Sequence, residues 1–452
     1  TEIYTLSLHD ALPILIKILQ LLLSLSILVI VHEFGHFLFA RIFKTRVEKF
    51  YLFFDWPFAI FKRKWGETEY GIGMIPLGGY VKISGMIDES MDKEQMKQPP
   101  QPHEFRSKKS WQRLMIMLGG VFFNFIFALL IYVAVLSLWG ETYLAARDVK
   151  YGILTDSTGY AMGLRNGDRI IAVDGEEPEN FYGIIPDILL NERQVITVDR
   201  EGEMIDIPVT REFIPLLLKN PDVIDARIPF GPFVIASIME ESPAMNAGLA
   251  PGDEIIRIDS LSFAWYDEFQ GYLASHKGQP INVTVRRQEE LVDFTVTTTE
   301  AGILGVFREM GGVFEMSTRH YSFFEAIPAG IAKGWNTTGD YLKQFKLIFS
   351  KETKAYESLG GFITIGSIFP GKWNWQSFWN LTAFLSLILA VMNILPIPAL
   401  DGGHVMFLIF EVVTGRKPSE KFLEYQQITG MIILLALLIF ANGNDILKLI
   451  RK

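Results

Sequence analysis

Val31-His32-Glu33-Phe34-Gly35-His36 stands near the end of a run, Leu15 to Phe39, that is otherwise Leu, Ile, Val and Phe diluted by Lys17, Gln20, Ser24 and Ser26. A helix of that length and polarity spans a bilayer. Ionisable groups inside a span are costly, so by default they serve a function. His32 and His36 are four positions apart, so they share one helical face and can bind one metal ion. Glu33 is offset by one position, where it reaches a water on that metal without being a ligand.

The rest of the composition fits a chain divided between membrane and water. At 452 residues it has room for several domains, and it is 49% hydrophobic. There is no cysteine, so the metal ligands must be His, Asp or Glu and no disulfide is possible. The net charge of −9 hides a division. Residues 41–113 hold 14 Lys and Arg against 9 Asp and Glu, whereas residues 140–375 hold 21 against 34. The basic segment flanks two spans, which places it in the cytoplasm by the positive-inside rule and the acidic region on the opposite side. Dense basic blocks are missing and the soluble part is acidic, which argues against a nucleic-acid partner.

Read along its length, the chain is expected to be a polytopic α-helical membrane protein with four transmembrane helices. Residues 1–13 are polar and are set aside as a possible non-native leader. Residues 14–41 form the first span and 42–113 a cytoplasmic loop. Within that loop, apolar runs flank Pro76 to Gly79 and predict a hairpin over 71–86, while 88–110 is polar, proline-bearing and expected to pack little. The second span is 114–138, and its Asn124 is read as a hydrogen bond to a neighbouring helix. Two soluble α+β domains follow, at 140–222 and 223–310, because Ala161–Gly175 matches Asn246–Ser260 at an offset of 85 residues. The second copy, A-G-L-x-P-G-D-x-I-x-x-I-D, resembles PDZ domains of the bacterial protease type. The first has Asn166 where the second has Pro251. PDZ domains bind extended peptides by strand addition, or the grooves here are empty and serve as bulk. Amphipathic helices on the membrane surface are expected over 320–375, a third span interrupted at Pro396 and Pro398 over 378–413, and a fourth over 428–447.

A catalytic zinc site takes three protein ligands and keeps one position open. The soluble pattern with a third histidine further along the same helix fails, because Phe39 and Ile42 stand at its glycine and histidine positions. Glu48 is a candidate but sits in a basic, interfacial stretch. Asp401 is an acid at membrane depth on a segment broken by Pro and Gly, a backbone tolerated there only when it lines a cavity or is covered by protein. His404 is its rival, and Asp401 is favoured because a carboxylate completes a two-histidine set.

H-E-F-G-H at 32–36, I-P-L-G-G-Y-V-K at 75–82, the tandem PDZ-like repeat and N-x-x-P-x-x-x-L-D-G-G at 393–403 together resemble the site-2 protease family of intramembrane zinc metalloproteases. The likeness covers about residues 15–450. It implies Zn²⁺ held by His32, His36 and Asp401, Glu33 as general base, and Asn393 holding substrate near the metal. It also implies a membrane-associated β-hairpin over 71–86, with Gly71, Ile72, Gly73, Met74 and Ile75 meeting an unwound substrate. Implied partners are the lipid bilayer and single-span membrane proteins, such as anti-sigma factors already trimmed outside or remnant signal peptides. PDZ-like domains would be periplasmic and could read peptide C-termini or act as a size filter. The setting would be the bacterial inner membrane. Many members of that family have proline where this chain has Gly361. Two other classes fit part of the pattern: a metal-ion transporter, which has no need of Glu33, and a membrane-tethered PDZ scaffold, which has no need of a full ligand set.

Overall fold

The computed structural model describes residues 8–86, 99–308, 313–349, 360–416 and 419–450. Two compact units result: one runs to Glu141 and resumes at His320, and the other is Thr142–Arg319.

Among the described residues the first unit contains four helices long and apolar enough to cross a membrane, Ala11–Ile42, Ser110–Trp139, Trp375–Ile394 and Tyr425–Lys448. The first belongs to a helix that begins at Leu8, so residues 8–13 of the supposed leader are helical; residues 1–7 lie outside the described ones. At about 1.5 Å per residue the 32-residue span is roughly 48 Å long, well beyond a hydrocarbon core of about 30 Å. The Ser110–Trp139 helix is the hub. Its Ala128, Ile131, Tyr132 and Val135 pack on Ala383 and Leu387, and its Met117 packs on Val405 and Leu408. Apolar contact drives little helix association in lipid, so polar bonds matter. Ser386 Oγ donates to the Asn124 carbonyl at 2.7 Å, and Thr382 Oγ1 donates to Ser24 Oγ at 3.0 Å. Ser110 Oγ, at 2.9 Å, and the Arg113 guanidinium both donate to Glu411 Oε1.

Asn374 caps the third span by accepting from Ser377 N at 2.9 Å, and the helix stops at Ile394, just before Pro396. The residue preceding a proline avoids the helical region, so helix 375–394 cannot run on through Pro396 and Pro398. Ala399 takes φ +70°, a strained value for a residue with a Cβ, and helix restarts at Asp401–Thr414. The fourth span is tied through its polar end. Asp445 accepts from Gly361 N at 2.9 Å, from Thr364 N at 3.0 Å and from Thr364 Oγ1, and Asn442 Oδ1 accepts from Phe362 N at 3.2 Å. Gly361 thus uses an N–H that a proline lacks. The helices expected on the membrane surface include one of 27 residues, Phe323–Phe349, that packs along the second span, with Gly330 against Val133 and Gly334 against Leu129.

Between the first two spans, β1 (Val47–Trp65) and β2 (Thr68–Ile83) form an antiparallel sheet. The hairpin expected around Pro76–Gly79 is not what forms. Tyr51 pairs with Gly71 on one side and Tyr80 on the other, and Leu52 pairs with Ile72 and Gly79. Residues 59–65 then pair with 68–73. The lateral order is therefore 59–65, 68–73, 47–54, 79–83, with 79–83 at one edge. Gly79 allows that edge to lie on the first helix, since a Cβ there would stand 2.6 Å from Val29 Cγ1. Residues 87–98 of the polar segment lie outside the described ones, but 103–105 pack rather than float: Arg46 N donates to His103 O at 2.9 Å and Phe105 N to Ser84 O at 2.8 Å.

The second unit repeats one design. In the first copy Arg165 N donates to Asp168 Oδ2 at 2.8 Å, and Arg200 reaches Asp168 Oδ1 at 2.7 Å and Gly163 O at 2.8 Å. In the second, Ala250 N donates to Asp253 Oδ2 at 2.8 Å, and Arg287 reaches Asp253 Oδ1 at 2.7 Å and Gly248 O at 2.9 Å. The Gly-Asp turn read in the sequence is thus a buried aspartate gripped by an arginine from a later strand. Ile153–Thr155 pairs with Ile224–Ala226, so the first copy closes after Ala226 and the boundary lies a few residues beyond 222. The second carries a five-stranded sheet, ordered 290–297, 280–287, 254–258, 233–238, 306–308.

Candidate metal centre

The site begins where the first two helices cross. A Cβ on Gly35 would lie 2.2 Å from Gly119 O, so the backbones touch. One residue on, a Cβ on Gly120 would stand 2.5 Å from both His32 Cε1 and His36 Nε2. Both imidazoles rest on bare backbone. His36 Nδ1 is 2.8 Å from Ile116 O. A carbonyl only accepts, so Nδ1 carries the hydrogen and a neutral ring keeps its lone pair on Nε2.

Asp401, the first residue of its helix, arrives from the far end of the chain. Its Oδ2 is 3.2 Å from His32 Nε2 and 3.3 Å from His36 Nε2, and the two histidine nitrogens are 3.3 Å apart. Ligands on a tetrahedral zinc at about 2.0–2.1 Å stand roughly 3.3–3.4 Å from one another. The three edges match. Asp401 Oδ2 is buried yet lacks a hydrogen bond of acceptable geometry, as suits an oxygen that shares a point of convergence with the two histidine nitrogens. The donor set fits Zn²⁺. Among the described residues, His32, His36 and Asp401 are the three that could hold a metal. Of the rivals, Glu48 faces Lys82 at 3.5 Å, and His404 borders the cavity without joining the set.

A cavity of about 570 Å³ opens on this centre, bordered by Glu33, Asn393, Asp401, His404 and the 79–83 edge. Glu33 and Val81 face this cavity together. Asn393 Nδ2 lies 3.4 Å from His32 Nε2. Gly71, Ile72, Gly73, Met74 and Ile75 do not border the cavity. Gly71 and Ile72 are hydrogen-bonded to neighbours on both sides, Gly73 pairs with Ala59 and Ile75 with Phe54. The part of the sheet that borders the cavity is instead Gly79–Ile83.

The sequence pattern of peptidase family M50 matches residues 20–437. The chain belongs to peptidase family M50. Its relatives include the regulator of sigma-E protease RseP of Salmonella typhimurium, 28% identical over 97% of this chain and 100% of the relative. A Neisseria meningitidis protein whose name places it among the zinc metalloproteases is 28% identical over 96% of this chain and 99% of its own length. The regulator of sigma E protease of Haemophilus influenzae is 28% identical over 95% and 98%. This M50 peptidase is a zinc metalloprotease with membrane-spanning helices, as the likeness to site-2 proteases implies.

Sequence reasoning missed two parts of this M50 site. Gly120 was hidden in a run of apolar residues, though the pair Gly119-Gly120 inside a span is itself a sign of close helix approach. The 79–83 edge was misread because alternation in β2 gives no hint of which strand lies beside it. Asn124 makes the bond to a neighbouring helix that its place in a span predicts, and its partner there is His32, 3.2 Å away.

Proposed function

We propose that the chain is an intramembrane protease that cuts peptide bonds within or near the membrane-spanning segment of single-span proteins. The observation carrying this reading is the triangle of His32, His36 and Asp401 with Glu33 beside it. Zinc held there supplies Lewis acidity toward the scissile carbonyl and lowers the pKa of a water. Glu33 takes the proton from the attacking water and returns it to the departing nitrogen. Asn393, at the same mouth, donates its amide hydrogens to the substrate carbonyl or backbone.

A helix in lipid hides its peptide groups in internal bonds, so cleavage requires local unwinding. The strand segment Gly79–Ile83, which borders the same cavity as Glu33, offers the freed backbone a strand to pair with. Trp56, Phe58, Ile60, Phe61 and Trp65 are all strongly exposed on the same sheet, which supports its immersion at the membrane boundary. The basic loop supports a cytoplasmic active site, with the two α+β copies periplasmic in a bacterial inner membrane. Their Gly-Asp repeat and matching Asp–Arg grip support a PDZ-like tandem that filters by size or reads peptide C-termini. Relatives named as regulators of sigma-E protease support anti-sigma factors, trimmed outside beforehand, as the substrate class.

The test is Glu33→Gln in the full chain, reconstituted with a model single-span substrate. Zinc remains and cleavage disappears. Cleavage by the variant would remove the base from Glu33, and zinc uptake into vesicles without cleavage would favour a transporter.

A further inference from the structure

The two histidines differ in what faces the ring nitrogen turned away from the centre. His36 has the Ile116 carbonyl at 2.8 Å. His32 has the Asn124 carboxamide, with Nδ2 at 3.2 Å from Nδ1. Asn124 is fully buried, and its Oδ1 has no hydrogen-bond partner. Its backbone carbonyl accepts from Ser386 Oγ at 2.7 Å, which pins that turn of the second span against the third.

A neutral imidazole that offers the Nε2 lone pair to a cation carries its hydrogen on Nδ1. That N–H needs an acceptor, because in a dry interior an unmatched donor is costly. With Nδ2 toward the ring, two donors would face each other. The oxygen and nitrogen of a carboxamide exchange places by a half-turn of the last side-chain torsion. No hydrogen bond to Oδ1 opposes that turn.

We propose that Asn124 is a positioning residue of the metal centre: its Oδ1 accepts from His32 Nδ1–H, fixing the tautomer and ring plane that aim Nε2 at the shared point. Asn124 touches neither the donors' meeting point nor substrate. The second span then supplies an acceptor to each histidine, Ile116 O to His36 and Asn124 Oδ1 to His32. The order is reversed along the two helices, as antiparallel neighbours require. The first span carries the donors, and the second sets which nitrogen each presents.

This inference rests on the zinc reading, and the test separates the two. Zinc affinity is measured on the purified full chain by competition with a chelator of known strength, for the native protein, Asn124→Asp and Asn124→Leu. Thermal unfolding is followed at saturating zinc. Losing the outer partner of a metal-bound histidine weakens binding by roughly 10–100-fold. Asn124→Leu therefore loses zinc affinity by that factor, whereas Asn124→Asp, which keeps an acceptor at the same reach, matches the native protein or exceeds it. Native affinity in Asn124→Leu overturns the proposal, as does an equal loss in Asn124→Asp. Should Asn124→Leu not fold, nitrogen-15 NMR of the histidine-labelled, zinc-stripped native protein decides. Hydrogen on Nδ1 of His32 supports the role and hydrogen on Nε2 overturns it. A native chain that binds no zinc would instead sink the metal centre itself.

Discussion

Gly120→Ala tests the construction of the site through one methyl group. The added Cβ would stand 2.5 Å from His32 Cε1 and from His36 Nε2, and 2.8 Å from His32 Nδ1. Ordinary contact begins at 3.4 Å, so one or both rings must retreat by about 0.9 Å. Metal–ligand distances tolerate about ±0.2 Å, and the donors already stand at 3.2–3.3 Å, the spacing zinc requires. A retreat of that size breaks the triangle. A misplacement of about 1 Å costs on the order of 100-fold in rate. The helix itself gains from alanine, by about 1 kcal/mol from propensity. The variant is therefore expected to stay folded, lose zinc by elemental analysis, and cleave a single-span substrate at about a hundredth of the native rate or less. Gly339→Ala, where a Cβ meets nothing within 4 Å, is the control. If Gly120→Ala keeps one zinc per chain and native turnover, the reasoning that bare backbone seats the two rings is wrong.

Two further outcomes follow from other parts of the molecule. Val81→Pro removes an N–H from the outer strand segment of the sheet, which borders the same cavity as Glu33. Zinc should be retained while cleavage falls by roughly 100-fold, the scale of one misplaced contact at the reacting centre; undiminished cleavage would exclude strand pairing at 79–83. In the second soluble copy, burial by itself would raise the Asp253 carboxyl, but the Arg287 guanidinium and the Ala250 amide hold it below the usual carboxylate range. A depressed folded value stabilises the copy above the unfolded pKa of about 3.9 and is lost as pH falls through the folded one. Arg287→Gln leaves burial unopposed by that charge, so acid unfolding of 254–287, followed by hydrogen exchange, should begin at higher pH than in the native chain. An unchanged acid midpoint would show that the grip carries no linkage.

The sequence by itself determined what is local. Four apolar stretches declare four spans because a bilayer sets their length, and His32 and His36 share a face because a helix turns every 3.6 residues. The 85-residue repeat declared two similar copies, and the aspartate that recurs in it makes the same grip in each. What only the tertiary structure decided is everything that depends on a neighbour remote in sequence. Asp401, His404 and Glu48 were all acceptable ligands until distance separated them. Alternation in β2 marked strands but could not reveal that 47–54 slips between its two halves, since a strand's period says nothing of its partner. Asn124 reads the same in sequence whether it ties two helices together or faces a metal-ligating histidine, because a buried carboxamide needs a partner either way and only packing supplies which one.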